Sequence, residues 1–546
     1  MLEWLTAQKT DHPMHSIEEA ERLLTGLSDE PLKAIEEVAS WLTTLTQAAG
    51  FQRGVRHAVI KLVDESGQPF EPEVNRLYLA KSALTQFERR QLWLAALHFW
   101  ERVAHAYRLC LDEMKGNAKL ARAENPDFTL LVVRVLRAIA EQIRMLHLRY
   151  VPVPDSLWQS LFEVFQLSEQ AGCDDSRVEA YPGDTLPTTA RFELLRAMLL
   201  EIARPDSMLP QQTDLVARVA ARYANACVFA QKPKTGCIWA VDLAQPRPPE
   251  LATGAASVLT SARFFGTGAV MGKVQEVIRR LTADAYAKEQ RFGEEYSSQE
   301  KLVVLRRLMH YWGEHSPYRH EKRADAAVTL EAILGFENAW RKIPRALYRD
   351  WSVVIRVLDM KLIERLGLAG DPAALPAPEK WLQCDASAWG VRATVARASE
   401  PTVRIGTLCA LKNGDQPWWL GVVRRLVRDG EDRMQAGIEV LAKMPATVLL
   451  RRVGHGGMSV QDFSTAADAS GSDYVNILLL GAAKAEKQRH ELLIARGEFI
   501  AGIVYEAMIG DSKQHYKFEE LLEQGDDFDR VRFTRGRDHA EKGAQY

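Results

Sequence analysis

The sequence predicts a multidomain α+β protein. A mostly α-helical N-terminal half leads into an antiparallel β-barrel with a helical insertion, and a second small β-rich region follows. Three observations carry this. Apolar residues recur at three- and four-residue steps through most of the chain before Tyr318, which is the helical period. After Tyr318, short apolar runs alternate with turn residues at the spacing of a small closed barrel. The length of 546 residues leaves room for about three or four domains.

In the first half, Leu77–Met114 forms the longest helical pattern, and Phe128–Leu148, Ser156–Gln170, Ala190–Ile202 and Asp214–Phe229 continue it. A β-like run at Gly236–Gln245 stops at the breaker sequence PRPP. Helical pattern returns at Val274–Leu281 and Ser297–Trp312. No fixed-period repeat is present, so helix-pair stacking is expected without a named solenoid class. Trp93, Phe99, Trp100 and Tyr107 are expected in the core in preference to a ligand groove.

The later grammar is different. VTLEAILGFE (328–337) fits a strand, WSVVIRVLDMKLIERLG (351–367) a helix, and LAGDPAALPAPEK a loop. GVRATVA, TVRIGTLCAL, WWLGVVRRLVR and QAGIEVL then read as strands, separated by the turns SEPT, KNGDQP and RDGEDR. Beyond Met444, YVNILLLGA, HELLIARGEFIAGIVYEAMIG and DRVRFTRG read as strands, and KFEELLEQG as a short helix or turn. The expected divisions are 1–314 (helical), 315–450 (barrel, insertion at about 338–380) and 451–546 (β-rich).

Composition narrows the function. Hydrophobic content of 47% and charged content of 26% are ordinary for a soluble protein, and the net charge of −2 argues against a chain that coats DNA or RNA. No apolar run of membrane-spanning length occurs and the start lacks the pattern of a signal peptide, so no membrane insertion is expected. Cys110, Cys173, Cys227, Cys237, Cys384 and Cys409 are scattered without a CxxC pair, as expected for buried thiols in the cytoplasm. No GxSxG, kinase set or paired-carboxylate motif is present, so no enzyme is expected, and no cofactor or metal. His310 and His315 bracket YWGE without forming HExxH, and Gly454–Gly457 (GHGG) lacks the Lys-Ser/Thr of a P-loop.

Two motifs remain. Arg319-His320-Glu321-Lys322-Arg323 is an RxxxR ahead of the first barrel strand, and Asp385-Ala386-Ser387-Ala388-Trp389-Gly390 is a DxSxxG ahead of GVRATVA. A forked guanidinium matches both the O6/N7 edge of guanine and a phosphate, while a carboxylate accepts from the guanine N1/N2 donors. The pair, followed by alternating strands, resembles the PilZ family of cyclic di-GMP receptors. The resemblance covers about a quarter of the chain. It implies that Arg319 and Arg323 wrap the ligand, Asp385 selects guanine, Ser387 contacts phosphate, and Gly390 fits a tight turn into the next strand. GGDEF- and EAL-type sequences, which would make or degrade the messenger, are absent.

Here 61 positions separate Arg323 from Asp385, and Arg341, Arg345 and Arg349 offer competing RxxxR pairs. Arg319 and Arg323 are preferred because RHEKR leads directly into a strand. Arg424, Arg425 and Arg428 form a basic strand end that reads as a solvated face before a phosphate contact, and Trp418 and Trp419 as core or rim packing. The expected function is a cyclic di-GMP receptor that signals by domain rearrangement to an unknown protein partner through the helical region. The alternative is a scaffold with a degenerate PilZ-like adaptor, and a weaker one an enzyme in the N-terminal half.

Overall fold

The computed structural model describes residues 10–51, 54–80, 84–114, 117–184, 186–252, 259–284, 292–313, 324–347, 376–453, 474–480, 490–509 and 512–537. The chain divides into two compact units, Met1–Tyr318 and Arg319–Tyr546.

The first unit is helical, as expected. Its described helices are α1 (Ile17–Leu24), α2 (Pro31–Gln47), α3 (Val55–Gly67), α4 (Glu71–Leu79), α5 (Gln86–Asp112), α6 (Ala118–Glu124), α7 (Phe128–Leu148), α8 (Asp155–Ala171), α9 (Ala190–Ile202) and α10 (Pro210–Tyr223). A small antiparallel sheet follows, in the order β1 (Val228–Ala230), β4 (Ala262–Gly266), β2 (Trp239–Asp242), β3 (Glu250–Leu251). Helices α11 (Gly268–Ala283) and α12 (Ser298–Tyr311) complete it. The stretch expected as one pattern over Leu77–Met114 is split. α4 ends at Leu79, and α5 starts afresh behind a capping box in which Thr85 and Glu88 satisfy each other's backbone N–H groups. Trp93, Phe99, Trp100 and Tyr107 are all buried core residues.

Helix α7 organises this unit. It is buried on nearly every face, against α5, α8, α9 and α10, yet it carries Arg134, Arg137, Glu141, Arg144 and His147. Buried charges of this kind are tolerable only when paired and hydrogen-bonded. Arg134 reaches Asp64 at 3.4 Å and the Tyr107 hydroxyl at 2.5 Å. Arg137 meets Glu193 at 2.9 Å and Asp184 at 2.8 Å. Arg144 holds Glu141 at 2.5 Å, Glu71 at 2.9 Å and Asp214 at 3.2 Å. Arg196 on α9 joins the groups by bonding both Glu141 and Glu193. One continuous network therefore ties α4, α7, α9 and α10.

Burial raises the Glu141 carboxyl, but the Arg144 and Arg196 guanidiniums outweigh it and hold the group at about 2. At Glu193 burial is likewise outweighed by Arg137 and Arg196, and at Glu201 by His147. At Asp64 and Glu71 burial wins and the carboxyls are raised, so their contribution fades as pH rises. A carboxylate held low in the fold stabilises it above its unfolded value of about 4.3 and loses that contribution as pH falls. The helical signal of the full chain should therefore unfold at progressively lower urea as pH drops from about 5 towards 2. Arg144→Leu, which removes the cation shared by three buried carboxylates, should cost about 3–5 kcal/mol at neutral pH in the same measurement.

The second unit contains two closed six-stranded antiparallel barrels. The first comprises β5 (Ala324–Leu334), β6 (Glu379–Ser387), β7 (Gly390–Thr394), β8 (Leu408–Asn413), β9 (Trp419–Arg428) and β10 (Met434–Ala442). The second comprises β11 (Ala446–Arg452), β12 (Tyr474–Leu479), β13 (His490–Ala495), β14 (Val504–Ile509), β15 (Ser512–Gln524) and β16 (Phe528–Arg537). Both have one connectivity. In each, the first strand pairs with the second and fourth, and the sixth pairs with the third and fifth. The second–third and fourth–fifth pairs close each ring.

Three expectations change. KFEELLEQ of KFEELLEQG, expected as a short helix or turn, lies in β15, where pairing with β16 overrides its helix-forming Glu and Leu residues. VTLEAILGFE is not one strand: β5 ends at Leu334, Gly335 turns at φ +89°, and α13 (Phe336–Leu347) begins. EKWLQCDAS, taken partly as loop, is strand β6. The expected helix at 351–367 and the GHGG segment lie outside the described residues.

Helix α13 is wedged between the barrels. Phe336, Ala339 and Ile343 share a core with Leu408, Trp418 and Leu420 of the first barrel region and Leu478, Leu493 and Phe528 of the second. The Phe336 backbone N–H donates to Asp527 Oδ2 at 2.5 Å, so the β15–β16 turn caps the helix. Arg424 on β9 forks onto Glu523 on β15, and Arg404 meets Asp526 at 3.2 Å. Trp418 is buried and Trp419 half-buried.

Candidate functional site

The DxSxxG motif is a β-hairpin, not a turn preceding a strand. Asp385 and Ser387 end β6, Ala388 and Trp389 form the turn, and Gly390 opens β7 directly opposite Ser387. Alternate strand residues share a face, so the D-x-S spacing places Asp385 and Ser387 side by side. The φ of Gly390 lies outside the left-handed region, so the turn itself does not require glycine there. What glycine supplies is the absence of a side chain beside Ser387. The Trp389 carbonyl accepts from the Val440 N–H at 3.0 Å and anchors the hairpin tip to β10.

A bulge sets the direction of Asp385. Trp381 and Gln383 point into the barrel, and simple alternation would send Asp385 the same way. Instead Gln383 pairs with Ala393 and Asp385 with Arg392, leaving Cys384 as the extra residue. The register shifts by one and Asp385 falls in the row of exposed Arg392, although it is itself buried, only 6% exposed. On the other flank β5 shows a matching irregularity, with Asp325 opposite Asp385 and Val328 opposite Gln383.

The outer row continues across the sheet. Asp325, Asp385, Arg392, Gly437 and Arg425 stand in register on β5, β6, β7, β10 and β9. Arg392 forms an ion pair with Asp385 at 2.7 Å; its side chain is 47% exposed and that of Asp385 only 9%. Glu439, opposite Gly390, takes a bond from Arg424 at 2.8 Å. Arg428 is held by Glu400 at 3.0 Å. Of the three arginines at the end of β9, Arg424 serves the joint and Arg428 a loop, while Arg425 stands on the motif's row.

Arg319 and Arg323 lie outside the described residues. The strand that follows them is described. Ala324, next to Arg323 in sequence, pairs with Ala386 inside the DxSxxG hairpin. The competing Arg341 sits on α13, beyond the far end of β5, and is ion-paired with Glu337 at 2.6 Å. The strand rise puts the two ends of β5 about 30 Å apart. Arg349 and the Arg345 side chain lie outside the described residues.

The second barrel has the same connectivity but not the same motif. Its second–third connection reads LGAAKAEKQR and its first strand is preceded by LAKMP, so neither DxSxxG nor RxxxR recurs there. The sequence signal for Arg392 was present and indirect: Asp385 and Arg392 mirror each other about the two-residue turn Ala388–Trp389, and the bulge at Cys384 comes only beyond that pair. No group of His, Cys, Asp or Glu fit to hold a metal occurs among the described residues, and none of their helices is long and apolar enough to cross a membrane.

Residues 18–234 match the model of the family described as the N-terminal domain of the cyclic-di-GMP receptor FimW. The match runs from α1 to just past β1, less than half of the chain, and ends before either barrel. The FimW-like region thus contains the α7 charge network and none of the DxSxxG hairpin. No curated protein matches the chain.

Because Arg392 is half exposed, its bond to Asp385 is worth little to the fold. Asp385→Asn should shift the thermal unfolding free energy by less than about 1 kcal/mol, so that binding defects of Asp385 variants report the site and not misfolding.

Proposed function

We propose that the chain is a cyclic di-GMP receptor whose first, PilZ-like barrel holds the dinucleotide through Arg319, Arg323, Asp385, Ser387 and Gly390. The observation that supports this is the β5–β6 register: Ala324, the residue after Arg323, pairs with Ala386 inside the DxSxxG hairpin, across the 61 positions that separate the motifs in sequence. The FimW-like match of the helical region supports a receptor role independently. In this account Arg319 and Arg323 clamp guanine and phosphate edges, Asp385 accepts from guanine N1 or N2, and Ser387 donates to a phosphate. The liganded barrel then changes its relation to the helical unit, and a protein partner docks on that unit.

Calorimetric titration of the full chain with cyclic di-GMP tests this. Arg319→Ala and Arg323→Ala should each cost about 1.5–3 kcal/mol of binding energy, the value of charge-assisted hydrogen bonds, while Arg341→Ala should cost nothing. Asp385→Ala should erode discrimination against cyclic di-AMP. Absence of heat at high micromolar ligand would overturn the receptor function, and an effect confined to Arg341→Ala would overturn the arginine assignment.

A further inference from the structure

The outer row that contains Asp385 carries a cation that neither motif includes. Arg392 lies two residues beyond Gly390, on the strand next to Asp385, and its guanidinium already touches the Asp385 carboxylate at 2.7 Å. Nearly half of its side chain is exposed. On its other side its cross-strand neighbour is Gly437, which contributes no side chain of its own. Arg425, opposite Gly437, lies close over that glycine: a Cβ there would come within 3.2 Å of the Arg425 Cβ. Gly437 thus puts no side chain of its own between Arg392 and the Arg425 stem, and the Asp385–Ser387 edge lies next to this row.

We propose that Arg392 is a third arginine of the nucleotide site. In the free chain it is parked on Asp385. When the dinucleotide binds, a guanine N1/N2 edge takes over the Asp385 carboxylate, and the released guanidinium turns onto a ligand phosphate above Gly437, on the side of Arg425. This inference rests on the receptor function proposed above and adds a residue and an order of events to it. The charge arithmetic favours the exchange. Asp385 stands between Asp325 and Arg392 on neighbouring strands, so one of its flanks is already acidic. A neutral guanine donor edge can replace the arginine at Asp385, whereas a doubly charged dinucleotide brings two anionic phosphates that need cations. A guanidinium moved from carboxylate to phosphate keeps its forked geometry in both places.

The test is titration of the full chain with cyclic di-GMP for the native protein, Arg392→Gln and Arg392→Lys, with Arg341→Gln as a control for loss of general positive charge. Loss of a charge-assisted contact corresponds to about 10- to 100-fold weaker binding. Arg392→Gln should fall in that range, Arg392→Lys should recover part of the loss, and Arg341→Gln should bind as the native chain does. If Arg392 served only as the counter-ion of Asp385, its removal would free the carboxylate, and Arg392→Gln would bind as well as or better than the native chain; that result overturns the proposal. Should Arg392→Gln fail to fold, Arg392→Lys carries the test: weaker binding by several-fold supports the proposal and unchanged binding overturns it. A native chain that gives no binding at all would instead remove the receptor function, an outcome distinct from either.

Discussion

The antiparallel pairing of β5 with β6 decides where the chemistry of the second unit lies. Ala324 meets Ala386 and Asp325 meets Asp385, so a segment far away in sequence is delivered to the DxSxxG hairpin by backbone hydrogen bonds. Register in a sheet has a period of two, and a slip of one residue would turn Asp385 and Ser387 to the opposite face. The bulge at Cys384 makes that choice locally. It lets Trp381 fill the barrel interior while Asp385, four residues on, is buried against the half-exposed Arg392. Trp381 in the core and Asp385 beside Arg392 are separated along one strand by one extra residue.

The same strand links the site to the joint between the barrels. Its last residue leads through Gly335 into α13, and α13 is capped by Asp527 from the second barrel. The shared core around Phe336, Ile343, Leu478 and Phe528 binds the two barrels through that helix. Two barrels of one strand connectivity are thus joined, and only the first carries the motif pair. The second contributes carboxylates at Glu523, Asp526 and Asp527 that clasp its neighbour, which suits a supporting module and leaves the nucleotide motifs to one barrel.

Much of this was legible in the sequence. The helical period of the first half, the strands from GVRATVA to QAGIEVL, and the multidomain α+β class all follow from patterning, because amphipathic periodicity reflects burial directly. The capping box at Thr85 and Glu88 was legible and overlooked, which merged two helices into one pattern. KFEELLEQG misled because its residues favour a helix; the neighbouring strand β16 supplies the hydrogen bonds that decide the matter, through a hairpin that local propensity does not show. β6 was obscured by the Pro-rich loop before it. Arg392 was hidden for a third reason: its partnership with Asp385 follows from the two-residue turn at Ala388–Trp389, and becomes visible only once the motif is read as a hairpin.

The most direct test of the account is hydrogen–deuterium exchange of the full chain with and without saturating cyclic di-GMP. The β5–β6 register predicts slower exchange on binding in two stretches together, residues 319–326 and 385–392. Protection of only one of the two, or protection that falls on 336–347 with the hairpin unchanged, would contradict the claim that the motifs meet across this strand pair.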